Sequence, residues 1–385
     1  MAIDSVLEAM ADGGYNTFTA PKVIKLKSKV LNGLLNGGLP EGSVIQLAAG
    51  SGTGKSTIAL DISRELCQQK YKVLYIDVEK GLNPSQLTGT GVMPFFNNQK
   101  KNQGAFYIAR EYDCNRIKHL VDTMCPRNKD NSPKKPLVNC IVLDSIGALD
   151  SGIYNDAKSD INNPKVGGDT KTIKILMKYF NGIAIDFGIT FILINHTLKS
   201  IGLFPTENPV GGSAPQYLSD VVLKLKAVGK PLTNAAGVPV AQQVTAEAIK
   251  SRFGPGKLKQ PFYVSLGKGI SNLYTYKDIL ENMTVEFEGK KVKALTITSG
   301  NSANHLYLHG KDIAFNGKDL KTIATLIKDN YTEIDKMIPD SMFMLDNSEF
   351  ENVAQTNLAT NSDDFDEPDD IDLEDIELNE ENSEE

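Results

Sequence analysis

Apolar and polar positions along this chain fall into two alternating patterns. Between Ser43 and about Leu266, short and nearly continuous apolar runs are separated by longer stretches with helical spacing. The runs are VIQLA (44–48), VLYID (73–77), CIVLD (140–144) and ITFILI (189–194). Strands of this kind, divided by helices, predict an α/β fold with a mostly parallel central sheet covered on both faces. Ligands of such sheets bind beyond the carboxyl ends of the strands. Segments 221–227, 244–250 and 261–266 read as further strands, antiparallel or at the sheet edge.

The pattern also divides the chain. Residues 1–40 form a lead-in of mixed helical character that ends in the turn-rich NGGLPEG, and residues 41–270 hold the sheet. Residues 271–345 contain a helix, the short strands VEFEG and KALTITS, and then LYLHGKDIAFNGKDLKTIATLIKDN, which together predict a small α+β C-terminal domain. Residues 346–385 turn polar and then acidic, the composition of a disordered tail. No internal repeat is present.

Composition sharpens this plan. With 41% apolar and 23% charged residues, the 385-residue chain has the proportions of a globular protein. No apolar run approaches the ~20 residues of a spanning helix, and MAIDSVLEAM lacks the basic start of a signal peptide. The net charge of −7 is unevenly spread. Residues 361–385 carry 14 acidic and no basic side chains, which leaves 41 basic against 34 acidic, or +7, in residues 1–360. A basic body with an acidic tail accords with nucleic-acid binding. The four cysteines have no CxxC spacing and no paired histidine, which argues against zinc or a disulfide framework and fits a reducing cytosol.

The strongest chemical signal is AAGSGTGKST at 48–57, which follows a predicted strand and opens a helix with apolar Ile58, Ala59, Ile62 and Leu66. That is the setting of a phosphate-binding P-loop, although Ala49 stands where the strict pattern has its first glycine. Gly50, Gly52 and Gly54 let the backbone curl, so that amides along Gly50, Ser51, Gly52, Thr53 and Gly54 and at the helix start of Lys55, Ser56 and Thr57 point at phosphate oxygens. Lys55 reaches the β- and γ-phosphates, and the Ser56 hydroxyl suits Mg²⁺. The expected ligands are thus ATP and Mg²⁺. Asp144 ends the strand CIVLD, where a metal-holding carboxylate is expected; the competing reading is a helix cap. Glu79 follows Asp77 at a neighbouring strand end and is long enough to activate a water in line with the γ-phosphate, or else is a solvated loop residue. Asn195-His196 ends a third strand, where His196 is either a γ-phosphate contact or a satisfied loop histidine.

Taken together, VLYIDVEKGLNP after the P-loop, CIVLDSIGAL, FILINHT and the later VGGSA closely resemble the RecA recombinase family, and most nearly its phage branch, the UvsX-like proteins. The resemblance spans about residues 25–345 and implies a RecA-type P-loop ATPase core. It matches Glu79 to the family's catalytic carboxylate. It puts His196 where bacterial members have Gln, as the switch between γ-phosphate and the DNA loops. It matches Lys250 and Arg252, in AIKSRFGP, to the two basic residues that reach the neighbouring subunit's ATP. A basic strand end facing solvent is the alternative for that pair. Gln86 stands near the position of a bacterial tyrosine on the adenine ring, so base specificity does not carry over.

The resemblance extends to DNA. Segment 151–170 resembles the first DNA loop, and Lys171, Lys174 and Lys178 follow it on one helical face. Lys171 and Lys178 fall where the family has arginines near phosphate, although a solvated lysine stripe would look the same. Segment 197–213 resembles the second loop, with Lys199 for phosphate, Phe204 for base stacking and Gly211-Gly212 for close backbone approach. Residues 306–338 look like the small domain thought to guide duplex DNA.

The implied function is a DNA-dependent ATPase, cytoplasmic in a bacterium or a phage-infected host, that forms a helical homo-oligomeric filament on single-stranded DNA. It would promote homologous pairing and strand exchange in repair and recombination-dependent replication. The implied partners are single-stranded and duplex DNA, with a recombination mediator and a single-strand-binding protein. Two other readings of the same core are a hexameric replicative helicase and a regulatory ATPase with a protein partner.

Overall fold

The computed structural model describes residues 22–100, 103–150, 168–199, 207–234, 236–298 and 303–343. Every described residue belongs to the first of the chain's two units, Met1–Leu345; the second, Asp346–Glu385, lies outside the described residues, and the expected disordered tail with it.

In chain order the elements are β1 (Val23–Ile24), α1 (Lys29–Leu34), β2 (Leu39–Pro40), β3 (Val44–Ala49), α2 (Lys55–Gln68), β4 (Lys72–Asp77), α3 (Pro84–Gly89), β5 (Ala105–Ala109), α4 (Cys114–Met124) and β6 (Cys140–Asp144). There follow α5 (Gly168–Phe187), β7 (Thr190–Lys199), β8 (Glu207–Pro209), α6 (Ala214–Leu218), β9 (Val221–Thr233), β10 (Pro239–Ser251), β11 (Lys259–Ser265) and β12 (Gly269–Ser271). The last are α7 (Asn272–Asn282), β13 (Thr284–Phe287), β14 (Lys290–Lys293), β15 (Leu295–Thr296), β16 (Asn304–Leu308), β17 (Lys311–Phe315), α8 (Leu320–Asp329) and α9 (Tyr331–Met337).

A ten-stranded sheet in the order β12-β11-β10-β9-β3-β7-β6-β4-β5, with β8 on β7, runs through the molecule. From β9 to β5 all neighbours are parallel, while β10, β11 and β12 extend it antiparallel. This is the expected α/β architecture with a mostly parallel sheet.

The apolar runs are continuous because both strand faces are covered. Val73 and Tyr75 of β4 and Val142 of β6 join Ile58, Ile62 and Leu66 of α2 in one core. Leu74 and Ile76 and Ile141 and Leu143 point the other way, into a core with Ile117 and Val121 of α4 and Ile173, Leu176 and Phe180 of α5. Successive strand residues face opposite sides, so burying both parities leaves no polar alternation to read.

Several elements have no counterpart among those predicted, β5 and α4 among them. β5 is a short edge strand whose second half is only half-buried, and α4 carries just three buried residues. β9 and β10 are also longer than the predicted 221–227 and 244–250, because their hairpin continues beyond β3, where β10 still pairs with β11 and most of β9 is exposed. In the C-terminal third, Leu306, Leu308, Ile323, Ile327 and Ile334 belong to the same apolar core as β3 and α2. The Tyr276 hydroxyl donates to Asp335 at 2.6 Å, and Lys29 of α1 pairs with Asp335 at 3.3 Å. Among the described residues no helix is long and apolar enough to cross a membrane.

Candidate functional site

Strand order brings four carboxyl-terminal ends side by side. Ala49 at the end of β3 is in register with His196 of β7, and Asp144 at the end of β6 is in register with Asp77 of β4.

The loop from Ala49 to Lys55 is built to hold an anion. Gly54 caps α2 with φ 92°, and Gly52 sits at φ 73°, both left-handed conformations that favour glycine. A helix start is normally closed by a Ser, Thr, Asp or Asn side chain. Here no side chain caps α2, and its first turn has no acidic residue. The first-turn amides of α2, with the positive end of its dipole, therefore remain for a ligand. Thr53 Oγ1 donates to Gly50 O at 3.0 Å and stiffens the curl. Lys55 is buried and donates to Ala49 O at 3.1 Å and Gly50 O at 2.8 Å. Burial pushes its ammonium below the ordinary lysine range, against the opposing pull of the Asp144 and Glu79 carboxylates. The alanine at position 49 is harmless to this arrangement, since its carbonyl is what Lys55 uses.

Asp144 is buried at the foot of the loop, and its Oδ2 accepts the Tyr75 hydroxyl at 2.6 Å. The Ser56 hydroxyl lies beside Asp144 and favours its ionised form. Burial raises the Asp144 carboxyl above its ordinary value, and the Glu79 and Asp77 charges add to this against the two hydroxyls. A buried carboxylate and a hydroxyl beside a phosphate-binding helix start are hard oxygen donors of the kind Mg²⁺ takes, and a dication would relieve that burden of negative charge. Asp144 and Ser56 thus fit the metal expected from sequence.

Glu79 stands on a loop that its own strand fixes. Asp77 is buried, and its carboxylate accepts from Gly81 N at 2.9 Å and Leu82 N at 3.2 Å. Val78 N and Glu79 N donate to Asp144 O at 2.8 and 3.3 Å. The Glu79 carboxylate accepts from Ser145 Oγ and meets His196 Nε2 at 2.9 Å. Partial burial alone would raise its pKa, but the bonds from Ser145 and His196 and the charge of Lys55 outweigh it and hold Glu79 below its ordinary value. It is an ionised acceptor at neutral pH, facing the loop that binds phosphate. His196 is in turn tied to the following segment. Its carbonyl accepts from Val210 N at 2.9 Å, and Asn195 Nδ2 donates to Val210 O at 3.0 Å.

Other expected residues lie elsewhere. Lys250 pairs with Val222, which is level with Gln46 of β3, and Arg252 lies beyond it. Arg252 pairs with Asp220 at 2.8 Å, and Asp220 exchanges backbone and side-chain bonds with Val44, the first residue of β3. Both basic residues are thus at the opposite end of the sheet from the P-loop of the same chain. They do not simply face solvent. Lys250 Nζ donates to the carbonyls of Tyr217 and Ser219 at the end of α6, beneath a Tyr217 ring that is 78% exposed.

Lys171, Lys174 and Lys178 are exposed on α5, opposite its buried Ile173, Leu176 and Phe180. Gly211 and Gly212 have φ of 84° and 73°, and a Cβ on them would crowd Ile173 and Thr170 of α5 at 3.3 and 3.1 Å. The loop glycines therefore answer to conformation and packing as well. Phe204, the Lys199 side chain and residues 151–167 lie outside the described residues. Gln86 closes a capping box with Asn83 at the start of α3, its side chain accepting from Asn83 N at 3.1 Å.

Sequence reasoning missed Tyr75, Ser145 and Tyr217. Ser145 had a signal in its place beside Asp144; Tyr75 had none, since an aromatic in an apolar run reads as core, and Tyr217 stands in the mixed segment APQYLSD with no pattern to mark it.

Comparison with known proteins agrees with this geometry. Residues 23–201 match the family described as AAA domain. Protein RecA of Fusobacterium nucleatum is 24% identical over 239 residues, covering 62% of this chain and 58% of that protein. Protein RecA of Campylobacter jejuni is 25% identical over 239 residues, with 61% and 63% covered. DNA repair protein recA homolog 1, chloroplastic, of Arabidopsis thaliana is 22% identical over 253 residues, with 65% and 53% covered. This is RecA-family homology at low identity, and the chain spans 53% to 63% of the length of these curated relatives. The loop geometry and the AAA-domain match over residues 23–201 together support a P-loop nucleotide-binding core.

Proposed function

We propose that this chain is an ATP-dependent strand-exchange recombinase that assembles head to tail into a helical filament on single-stranded DNA. The observation that carries this reading is the separation of two halves of one site. The P-loop, Asp144 and Glu79 stand at one end of the sheet, and Lys250, Arg252 and the exposed Tyr217 stand at the other. Cations destined for γ-phosphate can complete the site only from a second copy stacked on the first. Such a contact joins two different surfaces, so it does not close on itself unless the rotation happens to form a ring. The resemblance to UvsX-like proteins favours the open helix.

In this reading the α2 amides and Lys55 hold the triphosphate, while Ser56 and Asp144 hold Mg²⁺, which supplies charge neutralisation when bound. Glu79, ionised and oriented by Ser145 and His196, takes the proton of the attacking water. His196 exchanges its bond to Glu79 for one to γ-phosphate, and the tie from His196 and Asn195 to Val210 passes that exchange to Gly211-Gly212 and the second DNA loop. Lys199 and Phe204 in that loop, with Lys171 and Lys178 on α5, meet the strand through phosphate charge and base stacking. ATP and DNA then favour the same state, so each raises affinity for the other. Residues 271–345 serve as the duplex-guiding C-terminal domain.

The test is ATP turnover with and without unmodified single-stranded DNA, on wild type and Glu79→Gln. Strong stimulation, abolished in the variant while DNA binding persists, is expected, with helical filaments in electron micrographs. Turnover indifferent to DNA would overturn the reading in favour of a protein-partnered ATPase, and closed rings would favour a helicase.

A further inference from the structure

Tyr75 is fully buried in the middle of β4, in the core beneath α2. Its ring packs against Phe106 of β5, with centroids 5.8 Å apart. A buried tyrosine needs a partner for its hydroxyl, and this one finds it in the nucleotide site. Tyr75 is level with Val142 of β6, and Asp144, two residues further on, shares that strand face. The phenol therefore reaches along the sheet to the carboxylate and donates to Asp144 Oδ2 at 2.6 Å. The Ser56 hydroxyl lies beside the same phenol and the same carboxylate. The hydroxyl of Tyr75 thus sits between the two oxygen donors that fit Mg²⁺.

We propose that Tyr75 is a positioning residue for the metal, holding the Asp144 carboxylate in one orientation so that its other oxygen and the Ser56 lone pairs converge. The inference rests on the nucleotide–metal reading of the site given above. Its physical basis is the general behaviour of coordinating carboxylates, whose own hydrogen-bond partners fix their rotation. The main-chain ladder already joins β4 to β6, and the Tyr75 ring packs on Phe106 of β5. The fold does not need the hydroxyl; the carboxylate does. Without it, a buried carboxylate oxygen is left without its donor and Asp144 is free to turn.

The substitution Tyr75→Phe removes that one oxygen and keeps the ring. Mn²⁺ serves as the probe, its free fraction read by electron paramagnetic resonance on the full chain with saturating non-hydrolysable ATP analogue. Loss of a partner behind a metal ligand weakens metal binding about 10- to 100-fold, and a weakening of at least about tenfold is expected here. The Mg²⁺ concentration for half-maximal turnover should rise in parallel, while kcat recovers at saturating Mg²⁺. A merely structural residue would lower stability without this split.

Asp144→Asn is the reference for a lost ligand. If wild type binds Mn²⁺ no more tightly than Asp144→Asn, the metal reading fails and the proposal with it. If wild type binds tightly and Tyr75→Phe matches it, only the role of Tyr75 falls. Two unnatural residues at position 75 keep the test decisive should the Phe variant unfold. 4-Aminophenylalanine retains a donor and should restore affinity. 4-Fluorophenylalanine fills the same space without one and should not. Equal affinities for these two would overturn the proposal.

Discussion

Asp77 offers a sharp test of how this site is positioned, because its hydrogen bonds go to the loop that carries Glu79. Its two carboxylate oxygens each accept one backbone N–H, from Gly81 and Leu82, and so close the loop that carries Glu79. Asp77→Asn is nearly isosteric but supplies one acceptor and one donor. One of the two backbone amides then faces an NH₂ group, and a hydrogen bond to a charged acceptor, worth about 1.5–3 kcal/mol, is lost. Arg110 contacts Asp77 only at 3.5 Å and is 57% exposed. Its share is well under ~1 kcal/mol. The variant should therefore lose about 2–3 kcal/mol, concentrated in residues 78–82.

P-loop residues are anchored on other strands, so nucleotide affinity should stay within about twofold of wild type, as distant sites behave independently. Turnover should not. Displacement of a reacting group by about 1 Å lowers a rate by roughly 10²-fold, and a fall of that size in kcat is expected at saturating ATP. Urea unfolding gives the stability, a fluorescent nucleotide the affinity, and phosphate release the rate. A variant that loses the stability yet keeps full kcat would refute the reasoning, because Glu79 would then hold its place without Asp77.

Two further outcomes follow from the same geometry. If the site is completed in trans, an inactive Glu79→Gln chain and an inactive Lys250→Ala/Arg252→Ala chain should complement each other. Equal amounts mixed at random give about a quarter of the junctions both intact halves, and turnover should recover to that order; no recovery would mean that the basic pair acts within its own chain. The depressed Glu79 carboxyl makes a stability contribution that is full above its ordinary value of 4.5 and is lost as pH falls through its lower folded value. Glu79→Gln should accordingly flatten the pH dependence of the urea midpoint below pH 4.5. A change confined to pH values above about 6, where carboxylates are ionised in either state, would contradict that sign.

Some of this molecule was legible from local signals. The P-loop could be read because its glycines for left-handed turns, its lysine and its hydroxyl fall within ten consecutive residues, with a strand directly before and a helix directly after. Asp144 and Glu79 could be placed because strand ends follow directly from apolar runs. Even Gln86 had a local meaning, since Asn83 and Gln86 have capping-box spacing. What the sequence determined by itself is therefore the set of chemical groups that strand ends carry to one sheet edge. Which groups meet there was decided by strand order and register. β4 lies beside β6, although two strands and about a quarter of the chain separate the P-loop from Asp144, and only that neighbourhood lets Tyr75 reach Asp144 and Ser145 reach Glu79. The antiparallel return of β10 sends Lys250 and Arg252 to the far end, where they cap α6 and pair with Asp220. Such contacts join residues tens of positions apart through backbone pairing, and backbone hydrogen bonds are the same for every side chain, so no local pattern records them.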